Sequence, residues 1–109
     1  MITEVKGDLV DFWRKGNRIG ITTNGFVKKD GRAVMGAGIA KTIRDAIPDF
    51  DKRLGGRLAM HGNIPHFNAT VQILTFPVKH NWNETADIEL IEKSAITIAS
   101  NGWEVYHFP

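Results

Sequence analysis

The chain has 109 residues, of which 42% are hydrophobic and 24% are charged, and its formal net charge is +2. This length suits one domain with a single core, and so small a charge gives no basis for predicting a nucleic-acid surface. Cysteine is absent, which excludes disulfides, cysteine-bound zinc and a cysteine nucleophile. No segment offers the roughly 20 apolar residues of a membrane span, and the start has no signal-peptide pattern. We therefore expect a cytoplasmic domain with no membrane partner.

Strands and helices alternate along the first half of the chain, where capping and stop residues predict the ends of each helix. The predicted elements, in chain order, are a strand at 2–5, a short helix capped by Asp8 and ended by Gly16, a strand at 19–23, a helix at about 38–47, and a helix capped by Asp49 and ended by Gly62. The apolar residues at 38–47 share one helical face, and Pro48 ends that helix.

The second half continues the alternation. Its predicted elements are strands at 65–67 and 70–76 joined at Asn68-Ala69, a helix capped by Thr85 and ended at Asn101-Gly102, and a strand at 103–108. The last helix is predicted to bury a stripe formed by Ile88, Ile91, Ala95 and Ile98. Alternating strands and helices predict an α/β sandwich, whose ligands bind beyond the carboxyl ends of the strands.

The glycine-rich segment Met35-Gly36-Ala37-Gly38-Ile39-Ala40 leads into the helix at 38–47. Its small residues leave backbone N–H groups accessible, and the positive end of the helix completes an anion site that suits a diphosphate. Neither nucleotide motif fits, because Ala40 and Met35 stand where a P-loop requires glycine and Lys41 replaces the third glycine of the dinucleotide fingerprint. On its own, the segment is more typical of a tight turn.

Four segments occur in the order found in macro domains. They are Val5-Lys6-Gly7-Asp8-Leu9, Thr22-Thr23-Asn24-Gly25, Val34-Met35-Gly36-Ala37-Gly38-Ile39-Ala40 and Thr75-Phe76-Pro77-Val78-Lys79-His80-Asn81-Trp82. The ordered set resembles a macro domain, and the last segment resembles the branch of phage-type macro domains and DNA ADP-ribosyl glycohydrolase antitoxins. The resemblance covers essentially the whole chain, 1–109. It implies a single α/β domain, a three-layer α/β/α sandwich around a mixed central sheet.

The resemblance also implies a function. It is ADP-ribose binding, with hydrolytic removal of ADP-ribose from a modified nucleic acid or protein, including ADP-ribosylated DNA. Two alternatives stay open, a non-catalytic ADP-ribose-binding module and a degenerate remnant without activity. The four histidines lack the spacing of a metal motif, so neither a metal nor another cofactor is predicted.

Individual residues acquire roles from the resemblance, each beside an ordinary structural alternative. Asp8 would bind the adenine amino group or else only cap the first helix, and Asn24 would bind the distal ribose or else form the turn with Gly25. Lys79 would take part in cleaving the ADP-ribosyl bond or else be a solvated lysine, and Trp82 would line the adenosine cleft or else be a core or rim residue. Backbone contacts would come from Leu9 to the adenine and from Met35, Gly36, Ala37, Gly38 and Ile39 to the diphosphate.

One departure from the family pattern concerns the end of the chain. Macro domains continue past the equivalent of Pro109 into a second glycine-rich loop and a final helix. Either the reading frame is truncated or the domain is naturally shortened at its C-terminus. In both cases we expect weak catalysis, together with self-association through the strand at 103–108 or else low stability. The segment from Phe26 to Arg32 is predicted to be a solvated, mobile lip that carries Lys28 and Lys29.

Overall fold

The computed structural model describes residues 2–4, 9–103 and 106–108. In chain order its elements are β1 (Ile2–Glu4), α1 (Leu9–Arg14), β2 (Ile19–Asn24), α2 (Gly38–Ala46), α3 (Phe50–His61), β3 (His66–Asn68), β4 (Ile73–Lys79), α4 (Ile88–Ser100) and β5 (Tyr106–Phe108). Asp8, the predicted adenine ligand, lies outside the described residues. None of the helices in the described part of the chain is long and apolar enough to cross a membrane.

A five-stranded sheet in the order β1-β5-β2-β4-β3 forms the centre of the structure. Neighbouring strands run parallel except β3, which pairs antiparallel with β4, so the sheet is mixed as predicted. The pairing of β2 with β4 runs from Ile19 beside Ile73 to a bulge that places Asn24 beside Lys79. The carboxyl ends of β2 and β4 therefore meet at one edge of the sheet, where α/β folds bind their ligands.

Helices cover both faces of this sheet. Ile19 of β2 and Ile73 of β4 are fully buried in a cluster with residues of α1, α2 and α3. The next residue of β4, Leu74, points to the opposite face, because successive side chains of a strand alternate. There it packs with Phe76 and with Ile98 of α4. The predicted three-layer α/β/α arrangement is confirmed.

The strand β4 begins three residues later than predicted. Val71 and Gln72 were predicted as part of the strand, but they belong to the turn after Asn68. The backbone of Gln72 is in the left-handed region, with a φ of 60°. The strand starts at Ile73, which pairs with Asn68. The shift makes Lys79 the last residue of a strand instead of part of the following loop.

The buried face of α4 also differs from the predicted stripe. The cap is Asp87 and not Thr85, since the Asp87 carboxylate accepts a hydrogen bond from the Leu90 backbone N–H at 3.2 Å. Ile88 is 73% exposed. The buried residues are Leu90, Ser94 and Ile98. Ser94 faces the sheet because its hydroxyl donates a hydrogen bond to the Pro77 carbonyl, which fixes the rotation of the helix.

The segment from Phe26 to Arg32 is exposed over most of its length, as predicted for a solvated loop, but Arg32 at its end is anchored to α3. Val27 pairs with Ala33 in an isolated antiparallel bridge. The Arg32 guanidinium lies 2.8 Å from the buried carboxylate of Asp51 and 3.3 Å from that of Asp49. These hydrogen bonds, first to Asp51 and then to Asp49, raise the pKa of Arg32 above its usual value. Asp49 occupies the N-cap position of α3, as predicted, but its side chain contacts Arg32 and makes no capping hydrogen bond to the helix.

The last strand occupies an interior position. β5 covers Tyr106–Phe108 and lies between β1 and β2, parallel to both. The prediction that the end of the chain forms a strand of the sheet is confirmed for Tyr106–Phe108, and the edges of the sheet are β1 and β3. Self-association through the strand stays a prediction.

Candidate functional site

A cavity of about 380 Å³ opens at the carboxyl ends of β2 and β4, and we call it the strand-end cavity. Its volume lies within the range of small-molecule sites in proteins. The walls come from the end of β2, the glycine-rich segment before α2, and the end of β4 with the loop that follows. They are formed by Thr22, Thr23, Asn24, Val34, Met35, Gly36, Ala37, Ala40, Val78, Lys79 and Trp82.

The glycine-rich segment gives one wall the character of an anion site. Gly38 begins α2 with a φ of 57°, in the left-handed region that glycine adopts without steric cost. Ala37 at the N-cap makes no side-chain hydrogen bond to the helix, and the first turn of α2 carries no acidic residue. The start of α2 therefore keeps its partial positive charge and its unpaired N–H groups for a ligand. A Cβ atom at Gly36 would meet open space.

Asn24 is already engaged in local structure. Its side-chain amide nitrogen donates a hydrogen bond to the Val34 carbonyl, and its amide oxygen accepts one from the Phe26 backbone N–H, both at 3.1 Å. The first bond ties the end of β2 to Val34, directly before the glycine-rich segment, and the second closes the local turn over Gly25. The turn role is therefore confirmed. Its contact with a ribose stays a prediction, and the second amide hydrogen is the group available for it.

Lys79 ends β4 and is half-buried in the cavity wall. Its main-chain carbonyl accepts hydrogen bonds from the Gly25 N–H and from the side-chain nitrogen of Asn63, both at 3.1 Å. Among the described residues that line the cavity, Lys79 is the only ionisable one. The site thus combines a single amine with an anion-binding loop. No group of three or more metal-ligating side chains occurs in the described ranges.

Asn63 is a residue that sequence reasoning missed. Its amide nitrogen also lies 3.1 Å from Nδ1 of His80, whose Nε2 lies 3.6 Å from the Asp87 carboxylate. A Cβ atom at Gly25 would lie 2.6 Å from Cγ of Asn63, so glycine is required there by close packing. Nothing in the sequence signals these contacts, because Asn63 lies in the loop after α3 and its partners are 16 and 17 residues further on.

The predicted site residues are only partly brought together. Asn24, Met35, Gly36, Ala37 and Lys79 line the cavity, and so does Trp82, which is 55% exposed at its rim. The remaining predicted residues in the described ranges do not line it, namely Leu9, Gly25, Gly38 and Ile39. The residues that line it without having been predicted are Thr22, Thr23, Val34, Ala40 and Val78. All five belong to the segments that carried the macro-domain resemblance, so their place in those segments could have predicted that they line the cavity.

Comparison with known proteins identifies the fold. No protein-family model matches the sequence, and none of the curated proteins is significantly similar to it. The macrodomain of Mycobacterium tuberculosis DarG is similar with a TM-score of 0.64 and 22% identity, over 94% of this chain and 70% of that one. The macrodomain of Thermus aquaticus DarG is similar with a TM-score of 0.58 and 21% identity, over 93% of this chain and 68% of that one. The chain therefore has a macrodomain fold, as the resemblance predicted.

Proposed function

We propose that the strand-end cavity binds ADP-ribose and that the protein removes ADP-ribose hydrolytically from a modified nucleic acid or protein. One observation carries the proposal. Lys79 is the only ionisable residue among the described residues that line the cavity, and the glycine-rich segment forms a wall of the same cavity. The macrodomain fold and the sequence resemblance support the same assignment. The resemblance to DNA ADP-ribosyl glycohydrolases makes ADP-ribosylated DNA the first substrate to test.

The diphosphate of ADP-ribose binds at the start of α2. Its negative charge meets the partial positive charge of the helix, and its oxygens accept hydrogen bonds from the backbone of Gly36 and Ala37, which line the cavity, and of Gly38 and Ile39, which do not line it but begin α2 directly after Ala37. The cavity walls beside this site include the apolar side chains of Val34, Met35 and Val78. Apolar surroundings exclude water and strengthen the attraction between the helix end and the diphosphate.

The adenine end is assigned to Asp8 and Leu9 on the resemblance alone. A carboxylate that accepts a hydrogen bond from the adenine amino group contributes on the order of 1–3 kcal/mol. We therefore expect Asp8→Ala to weaken ADP-ribose binding about tenfold or more. Titration calorimetry measures this directly, and equal affinity of the variant and the wild type would remove Asp8 from the site.

Lys79 supplies the chemistry. Its neutral amine adds to C1 of the ring-opened ribose, and the bond from C1 to the modified group then breaks as that group takes up a proton. The imine that remains on Lys79 is hydrolysed by water, which releases ADP-ribose and restores the amine. The hydrogen bonds on the Lys79 carbonyl hold the backbone in place while the side chain reacts.

A binding module without turnover is the second candidate, and one observation favours it. The described walls of the cavity contain neither a carboxylate nor an imidazole that would act as a general acid or base. In such a module the Lys79 ammonium attracts the ligand as a charge and forms no bond to it. Binding would then be as strong as in the enzyme, but no ADP-ribose would be released.

One experiment separates these functions. ADP-ribosylated single-stranded DNA and an ADP-ribosylated protein are incubated with the wild type, Lys79→Ala and Lys79→Arg, with Lys41→Ala as the control, since Lys41 is exposed on α2. We expect release by the wild type and the control, loss in both Lys79 variants, and a covalent adduct at Lys79 after borohydride reduction. Calorimetric binding of ADP-ribose without release would establish the module. Absence of both binding and release would establish a remnant without ligand.

A further inference from the structure

A second polar groove runs beside α3 at the edge of the sheet formed by β3. This cavity, which we call the α3 groove, has a volume of about 380 Å³, and its walls include Arg53, Arg57, His61 and Asn68. A recess of about 10 Å³, at the lower limit for one water molecule, shares Arg53, Arg57 and Asn68 with the groove and is also lined by His66. Neither space shares a described lining residue with the strand-end cavity.

The two arginines bring positive charge that no described residue of the groove walls neutralises. Arg53 and Arg57 are four residues apart on α3, so their side chains lie on the same face, where like charges repel each other. Both are exposed, and no described residue in the walls of the groove or the recess is a carboxylate. An anion that binds between the two guanidinium groups relieves their repulsion and accepts charge-assisted hydrogen bonds from both.

His66 provides the second observation. The residue is only 8% exposed, and its Nε2 atom is buried without a hydrogen-bond partner. The backbone of His66 is fixed by two hydrogen bonds with the Thr75 hydroxyl, at 3.0 and 3.2 Å. Because a buried polar atom without a partner costs free energy, its place in the wall of the recess points to a ligand atom or a water there. The recess has room for one oxygen atom.

We propose that the α3 groove is a phosphate-binding site, in which Arg53 and Arg57 bind the charged oxygens and His66 Nε2 contacts one oxygen in the recess. A hydrogen phosphate group suits this arrangement because it carries both acceptor oxygens and a hydroxyl. It therefore satisfies Nε2 whether that atom bears a proton or not. The ligand class is inorganic phosphate or a terminal phosphomonoester, and the site is additional to the proposed ADP-ribose cavity.

The test is an NMR titration of the wild type with inorganic phosphate at constant ionic strength. The imidazole signal of His66, assigned with a His66→Gln variant, reports on this groove and not on the strand-end cavity. We expect a saturable shift, and a Kd weakened about tenfold or more in the double variant Arg53→Gln/Arg57→Gln, since two charge-assisted contacts are lost. Both arginines are exposed, so the fold should survive.

The matched control is Lys52→Gln, which removes one charge from the exposed surface of the same helix without touching the groove walls. It should bind phosphate within about twofold of the wild type, because a single exposed charge contributes little. The proposal is overturned if the His66 signal shows no saturable shift, or if the double variant binds as tightly as the wild type.

A second arm identifies the source of the phosphate. The same titration is run with a thymidine dinucleotide that carries a 5′-phosphate and with the dinucleotide that lacks it. Tighter binding of the phosphorylated dinucleotide than of inorganic phosphate supports a nucleic-acid terminus as the ligand. Binding of inorganic phosphate alone supports the free ion. If both dinucleotides bind and their Kd values are equal, the terminal phosphate is not recognised and the assignment to a phosphomonoester is overturned.

Discussion

The side-chain nitrogen of Asn63 donates a hydrogen bond to the main-chain carbonyl of Lys79, and the two atoms are 3.1 Å apart. The Gly25 N–H donates to the same carbonyl at 3.1 Å. Asn63 thereby joins the loop after α3 to the ends of β2 and β4, where the strand-end cavity opens. Its amide reaches the backbone of Lys79 and not the amine, so we regard Asn63 as a positioning residue.

Asn63→Ala should lower turnover more than it lowers affinity. Loss of the amide frees the Lys79 carbonyl on one side, and misplacement of a reacting group by about 1 Å can cost two orders of magnitude in rate. The ADP-ribose contacts of the glycine-rich segment stay intact, so the Kd should change little. The measurement compares kcat for release of ADP-ribose with the calorimetric Kd, using the exposed Asn83→Ala as control. If Asn63→Ala keeps the kcat of the wild type, the hydrogen bond from Asn63 is not needed to position Lys79.

Gly38→Glu should abolish ADP-ribose binding while the domain stays folded. The substitution places a carboxylate beside the N–H groups at the start of α2, where the diphosphate is proposed to bind, and a Cβ there meets no neighbour. The φ of 57° adds a backbone cost of roughly 1–2 kcal/mol for any other residue.

Gly38→Ala separates the two effects, because it carries the backbone cost without the charge. We expect the melting temperature to fall in both variants, less in Gly38→Glu because a carboxylate at the start of a helix is stabilising, and calorimetry to detect ADP-ribose binding only with alanine. Unchanged affinity in Gly38→Glu would move the phosphate site elsewhere.

Local patterns predicted the parts of the fold that depend on local interactions. The start of α2 at Gly38 and the end of α3 before Gly62 follow from glycine, whose backbone at both places has a positive φ. The cavity wall formed by the glycine-rich segment could be predicted for the same reason. Its neighbours Asn24 and Lys79 followed from the family resemblance alone.

The features that the sequence did not predict depend on contacts between residues far apart in the chain. The rotation of α4 depends on the hydrogen bond from Ser94 to Pro77, 17 residues away, and a serine gives no apolar signal for burial. The segment before Ala33 is mostly exposed, as its polar residues predicted, but they did not reveal that Arg32 reaches the buried carboxylate of Asp51 on α3. Asn63 escaped notice because an asparagine in a loop is usually a turn residue.

Gly55 and Gly56 form a matched pair that tests how the segment before Ala33 packs on α3. A Cβ atom at Gly55 would overlap the Gly31 carbonyl oxygen and crowd the Ala33 N–H, whereas a Cβ at Gly56 meets nothing. Gly55→Ala should therefore destabilise the protein by roughly 1–3 kcal/mol, as overpacking does in cores.

Gly56→Ala should instead stabilise it by roughly 0.5–1 kcal/mol, because alanine is the better helix former. Urea denaturation of the two variants provides the measurement. Similar free energies of unfolding for both would mean that the segment does not pack against α3 in solution.

His66 should make the stability of the protein depend on pH below neutrality. Burial lowers the pKa of the ring below its ordinary value of 6.5, the charge of Arg57 and the neighbouring His61 lower it further, and a hydrogen bond with the Gly62 backbone acts in the opposite direction. The ring in the unfolded chain titrates near 6.5, so below that pH the unfolded state binds more protons than the folded one. Stability is therefore complete above pH 6.5 and decreases as the pH falls from there towards the folded pKa.

The melting temperature of the wild type should accordingly be lower at pH 5.5 than at pH 7.5, and His66→Gln should reduce that difference. His61→Gln is the control, since it leaves the burial of His66, the largest cause of the shift, in place. Inorganic phosphate should raise the melting temperature more at pH 5.5 than at pH 7.5, because an anion beside Nε2 favours the protonated ring. If the wild type and His66→Gln lose the same number of degrees between the two pH values, His66 titrates as it does in water and its ring is not held in the buried recess.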